Sequence, residues 1–213
     1  MLSAIIVIFT LHEMQIQRNN AYMPEIIFET VSVPFSWGTP QNIDVYHSLI
    51  DDETELNPTS IKIPVRNIGI GVAKKVTIKI TYDNYISWLS LFNKLNPEHQ
   101  YKYTQNGNML TISNGTTQFA FNADYQFEKT FLLPNAEEIC EVVIPVQYAK
   151  LLQEISSLRN TTLIEIPNIE VNVSFKDVQG IVYDKKISLK IEDYFLTSDS
   201  DANGIAIYRI IME

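Results

Sequence analysis

The feature that most constrains this chain is a two-residue beat of apolar side chains that returns several times. Ile61, Ile63 and Val65 alternate with Lys62, Pro64 and Arg66, and Val76, Ile78 and Ile80 alternate with Thr77, Lys79 and Thr81. The beat recurs in Ile169, Val171, Val173 and Phe175, and again in Ile187, Leu189 and Ile191. Neighbouring side chains on a strand point to opposite faces, so this pattern predicts antiparallel sheets with one face in a core and one in water. Turn sequences separate the runs: Gln105-Asn106-Gly107-Asn108, Asn114-Gly115 and Asp177-Val178-Gln179-Gly180. Asn-Gly pairs between strands are strong hairpin signals. With 213 residues, 46% of them hydrophobic, the chain has material for one sizeable core. The expectation is a mainly β protein of sandwich type, with short inserted helices.

Further strands are predicted over residues 25–33, 43–49, 126–133, 139–145, 181–191 and 205–211, with an acidic loop over 51–60. Pro64 has no N–H for a ladder, which predicts an edge position or a bulge. The Gly69-Ile70-Gly71 step lacks the third glycine and following helix of a phosphate loop, so its glycines are expected to turn the chain with positive φ. Two stretches break the β rhythm. Ile86, Leu89, Phe92 and Leu95 share a helical face over residues 85–95, widened by Trp88 and Leu91, with Asp83 or Asn84 as cap. Leu151, Leu152, Ile155 and Leu158 form a second such face after Pro145.

The N-terminus is different. Residues 2–11 read LSAIIVIFTL, with a polar, helix-permissive stretch to Asn20 and a helix-breaking Pro24. This divides the chain into an N-terminal hydrophobic helix, residues 1–23, and a β-sandwich domain, residues 24–213. Ten apolar residues span about 15 Å as a helix, half of a bilayer's roughly 30 Å hydrocarbon core. No Lys or Arg precedes the run and no small-residue cleavage site follows it, which argues against a signal peptide. Three fates remain: part of a transmembrane anchor, a helix embedded in one leaflet, or an element buried in the soluble fold. Residues 2–16 are the candidate membrane contact, and Arg18 favours a cytoplasmic β domain.

The formal charge of −9 argues against nucleic acid, whose phosphates are met by clustered Lys and Arg, and against attraction to anionic lipid. Lys74-Lys75 and Lys185-Lys186 are expected on solvated strand faces. The single cysteine, Cys140, excludes an internal disulfide and a multi-cysteine zinc site, and is expected in the core. His12, His47 and His99 are scattered. No Ser-His-Asp, HExxH or nucleophile-elbow signature is present, so a non-enzyme without cofactor is expected. One local motif resembles the opening of a calcium loop: Asp199, Asp201 and Asn203 place oxygen ligands at alternate positions before Gly204. The bidentate Glu that should complete it is Ile210, which makes these three residues a weak metal candidate. Asp83, Asp124, Asp177, Asp184 and Asp193 are dispersed acids that a hydrolase would have to bring together. Tyr101-Lys102-Tyr103 and Phe35-Ser36-Trp37 are candidate recognition aromatics.

Taken together, Tyr22-Met23-Pro24-Glu25-Ile26 after the apolar helix, the run from Val65 to Val76, and the run from Val173 to Tyr183 carry a resemblance. The chain resembles uncharacterised bacterial proteins with one N-terminal transmembrane helix followed by an immunoglobulin-like β-sandwich domain. The resemblance implies an immunoglobulin-like fold and a membrane anchor, here shortened, and carries over no catalytic residue. The expected function is a non-enzymatic, membrane-tethered module presenting its sandwich to a protein partner. The alternative is an extracytoplasmic calcium- or carbohydrate-binding sandwich.

Overall fold

A computed structural model describes residues 2–38, 58, 60–107, 109–115, 118–122, 125–135, 140–158, 165–198 and 203–213. Among these the chain is mainly β. Helix α1 (Leu2–Ala21) is followed by β1 (Ile26–Phe28), β2 (Val31–Trp37), β3 (Ile61–Asn67) and β4 (Ala73–Ile80). Helix α2 (Tyr82–Leu95) and a short 3₁₀ turn lead into β5 (Lys102–Asn106), β6 (Met109–Ser113), β7 (Gln118–Asn122), β8 (Tyr125–Leu132) and β9 (Cys140–Ile144). Helix α3 (Val146–Leu158), β10 (Ile169–Lys176), β11 (Val182–Ser198) and β12 (Gly204–Met212) complete the order.

These strands form three antiparallel sheets: six strands in the order β2-β12-β11-β10-β4-β8, three in the order β1-β3-β9, and the meander β5-β6-β7. The alternation seen in the sequence is the burial pattern of the strands. Ile61, Ile63 and Val65 on β3 and Val171, Val173 and Phe175 on β10 are buried, with their neighbours turned outward. All three sheets and both later helices feed one apolar core, which also holds Cys140 as expected.

Several expectations need correcting. The single strand over residues 25–33 is two strands, β1 and β2, that join different sheets. β3 and β4, so alike in pattern, also lie in different sheets. Pro64 is neither at an edge nor in a bulge, because β3 is the middle strand of its sheet. The ladder with β1 ends at Phe28 opposite Val65, and Pro64 sits one step beyond it, its carbonyl accepting from Glu29 N–H at 2.9 Å. The missing proline donor thus falls where the ladder stops, and costs no bond on the β9 side. The cap of α2 is Thr81, so Asp83 and Asn84 lie inside the helix. The predicted strand over 43–49 lies outside the described residues.

Gly69 and Gly71 do not have positive φ; Gly38, Gly107, Gly115 and Gly180 do. Their role is close approach. A Cβ at Gly69 would strike Met23 O and Glu25 N, and one at Gly71 would strike Tyr22 O. The chain leaving α1 is therefore laid directly against the β3–β4 loop. Asn67, 2% exposed, locks this crossing. Its Oδ1 accepts from Glu25 N–H at 3.0 Å and Gly69 N–H at 3.1 Å. Its Nδ2 donates to Gly71 O at 2.6 Å and Leu132 O at 3.1 Å. With two donors facing the oxygen and two acceptors facing the nitrogen, one amide orientation alone satisfies the site.

Helix α1 itself stands clear of this body. Residues 8–17 are exposed on every face, among them Ile8, Phe9, Leu11, Met14 and Ile16. At residues 8–11, the part of the apolar run whose side chains are described, burial in the soluble fold, one of the three expected fates, does not occur. No described helix is long and apolar enough to cross a membrane.

Candidate interaction site

A concave surface is built by α2, α3 and the meander. Helix α2 turns Tyr85, Trp88, Leu89 and Phe92 inward, and α3 turns Tyr148, Leu151, Leu152 and Ile155 inward. Tyr148 sits edge-on to both Tyr85 and Trp88, at ring separations of 5.3 and 5.2 Å, which locks the helices side by side. The meander leans on this pair through Phe121, 5.5 Å from Tyr85, and the segment before it through Tyr101, 5.3 Å from Phe92. Asn93 fixes that segment, donating to Tyr101 O and accepting from Tyr101 N–H, both at 2.8 Å.

Between these elements lies a hollow of about 400 Å³, floored by Tyr85, Leu89, Phe121 and Leu151 and flanked by Lys150 and Glu154. A second hollow of about 550 Å³ shares Tyr85 and Phe121 and extends toward Tyr125 and Pro145. A third, of about 270 Å³, shares Tyr101 and Glu154 and extends toward Asn96 and Ser157. The three hollows adjoin one another through these shared side chains, and together are termed the trough.

Burial holds the phenols of Tyr85, Tyr101 and Tyr148 above their ordinary range. The Glu154 carboxylate adds to this at Tyr85 and Tyr101, and Tyr85 adds to it at Tyr148. Burial also raises the Glu154 carboxyl, against the opposing pull of Lys150. The trough thus offers neutral hydroxyls, a carboxyl and an ammonium around an apolar floor. Its lining is therefore mixed, apolar at the floor with a few polar groups around it.

The residues singled out from the sequence fare unequally. Tyr101 lines the trough, whereas Tyr103 stands exposed on β5. Phe35 is wholly buried and stacks obliquely on Tyr208, and Trp37 packs against the core, so these two form no exposed patch. Of the calcium candidate, Asp199 and Asp201 lie outside the described residues. Asn203 precedes β12, its Oδ1 filling the space that a Cβ at Gly38 would need. Ile210 is buried on β12, and no group of three metal-binding side chains gathers among the described residues. Asp184 pairs with Ser174 and Asp193 with Tyr208 along β11, while Asp177 closes the β10–β11 turn. Asp184 and Asp193 lie nine residues apart on the extended β11, and the Asp177 carboxylate is taken up by Gln179 N–H, Ile181 N–H and Tyr183 Oη, so these three acids do not gather at one site. Asp124 lies outside the described residues. Glu154 was missed altogether, because its place beside Tyr85 and Tyr101 follows from the packing of α3 and not from any local pattern.

No protein-family model, curated protein or solved structure matches this chain.

Proposed function

We propose that this protein is a non-enzymatic, membrane-tethered interaction module: an immunoglobulin-like sandwich held at a bilayer by α1, offering the α2–α3 trough to a protein partner. The observation that carries the proposal is the exposure of α1. Five large apolar side chains with no cover from the body are a strong departure from a soluble surface, and lipid is the solvent that suits them. The immunoglobulin-like reading is supported by the way the chain changes sheets between β1 and β2, so that one N-terminal segment edges both layers. The protein partner is supported by the trough's size and by its mixture of aromatic and charged groups.

The test is flotation of the full chain with phospholipid vesicles. The native chain is expected to float, and the Phe9→Asp/Leu11→Asp variant to remain in the dense fraction. Both should have the same melting temperature, since Phe9 and Leu11 are 67% and 60% exposed. Equal recovery of both proteins in the dense fraction would sink the tether. A second reading, carbohydrate binding, is favoured by the aromatic side chains Tyr101 and Phe121 lining, with Glu154, a hollow of ligand size. A panel of oligosaccharides that leaves the melting temperature unmoved would remove it.

A further inference from the structure

The exposed large apolar side chains of the described residues are sharply concentrated. Apart from the five on α1, thirteen are exposed, and eight of those lie at one end of the sandwich. Tyr22 is in the connection from α1, and Ile68 and Ile70 are in the β3–β4 loop. Phe131 and Leu133 end β8, and Val178, Ile181 and Val182 belong to the β10–β11 turn. The strand registers bring these segments together: Lys176 lies opposite Lys74, Lys74 opposite Phe131, and Pro134 bridges to Asn67.

This end is rigid. Asp177 Oδ1 accepts from Gln179 N–H at 2.8 Å and Ile181 N–H at 2.9 Å, and Tyr183 donates to its Oδ2 at 3.2 Å. The turn therefore holds Val178 and Ile181 outward. Helix α1 leaves from this same end through residues 22–25, which Asn67, Gly69 and Gly71 clamp in place. Four residues reach at most about 14 Å, so wherever α1 is anchored this end of the body is held close by.

Resting on the tether reading, we propose that α1 and this end of the sandwich form one lipid-contacting surface, seated in a single leaflet of a bilayer. The lengths agree. The apolar half of α1 and its polar half are each about 15 Å long. At an inclination of roughly 60° from the bilayer normal each half rises about 7.5 Å, which matches both the depth of an interfacial helix and the headgroup layer. The apolar loops then meet the headgroup boundary as α1 enters it. Lys74, Lys75 and Lys176 are exposed just behind the apolar rim, where lipid phosphates lie. Of the acids beside them, Asp177 is turned inward by its hydrogen bonds and Glu25 is exposed. The overall charge of −9, which argued against lipid at the level of composition, does not describe this rim.

The test places a tryptophan at the turn, Ile181→Trp, in the full chain. Trp88 is fully buried and Trp37 lies at the far end of β2, so neither native tryptophan reports on this surface. With vesicles of equal parts phosphatidylcholine and phosphatidylglycerol, the introduced tryptophan is expected to shift to the blue and to be quenched by brominated phosphatidylcholine. Ile70→Ser with Val178→Ser should weaken partitioning about tenfold, and Lys74→Gln or Lys176→Gln roughly fivefold each. If Ile181→Trp melts early, Val178→Trp on the same turn takes its place. Flotation with an introduced tryptophan that stays open to acrylamide and untouched by brominated lipid would overturn this inference and leave the tether standing. Absence of flotation would overturn both. A blue shift without lipid that grows with protein concentration would assign the surface to a second copy of the chain instead.

Discussion

At Asn67 one carboxamide serves four backbone groups drawn from three segments, and it does so in the core. Replacing it with alanine strands two buried acceptors, Gly71 O and Leu132 O, and two part-buried donors, Glu25 N–H and Gly69 N–H. Asn67→Ala is therefore expected to cost about 3 kcal/mol, read as a lowered urea midpoint at unchanged slope. Lys75 makes the opposite case. It is held at φ 51°, where β4 sets two residues against one of β10, a left-handed conformation that disfavours a side chain. Lys75→Gly should leave stability equal or raise it by up to about 1 kcal/mol, whereas Lys75→Val should lower it in the same urea experiment. Neither role was legible in the sequence. Asn67 reads as an ordinary turn residue because one of its acceptors, Leu132 O, lies 65 residues away.

Among the elements, the union of α3 with the large sheet is the clearest. Ser156 Oγ donates to Leu152 O at 2.6 Å within the helix, which leaves Tyr208 as the donor in their 2.7 Å hydrogen bond. Tyr208→Phe is expected to lose about 1–2 kcal/mol. The double variant with Ser156→Ala should cost less than the sum of the two single variants, because both remove the same bond. Additive losses in denaturant titrations would show that the bond carries no coupling. The apolar faces of α2 and α3 were legible from their spacing alone. That Tyr85, Trp88 and Tyr148 interlock was not, since periodicity names the buried face of a helix but not what it meets. For the same reason the alternation in β3 and β4 predicted two strands and could not assign them to different sheets.

For the whole molecule, the buried phenols predict a limit at high pH. Unfolded tyrosine ionises at about pH 10, whereas burial, first of all, holds Tyr85 and Tyr148 above that in the fold. A raised folded pKa in an acid group means that stability is full below the unfolded value and falls as pH rises beyond it. Phenolate absorbance should thus appear in two steps, exposed tyrosines first and Tyr85 and Tyr148 together with the loss of far-ultraviolet β signal. Simultaneous titration of all tyrosines in a folded chain would contradict this. Toward acid pH Glu154 makes its own contribution, its carboxyl being raised chiefly by burial. Its folded form disfavours the charge, so Glu154→Gln should raise the melting temperature at neutral pH and have little effect once the carboxyl is protonated.

By itself the sequence determined the class of the protein: which residues alternate, where Asn-Gly and Asp-x-x-Gly turn the chain, and which two stretches are helical. These are local properties, set by the period of a strand or helix and by the φ that a turn demands. It also marked residues 2–11 as an apolar run without a place in the β pattern. Only the tertiary structure decided that α1 stands uncovered, that β1 and β2 part to different sheets, and that Gly69 and Gly71 serve close approach. It alone brought Tyr22, Ile70, Phe131 and Ile181 to one end. Such facts depend on pairings between residues tens of positions apart, and registers of that kind are settled by burying the whole core at once, not by any stretch of chain alone.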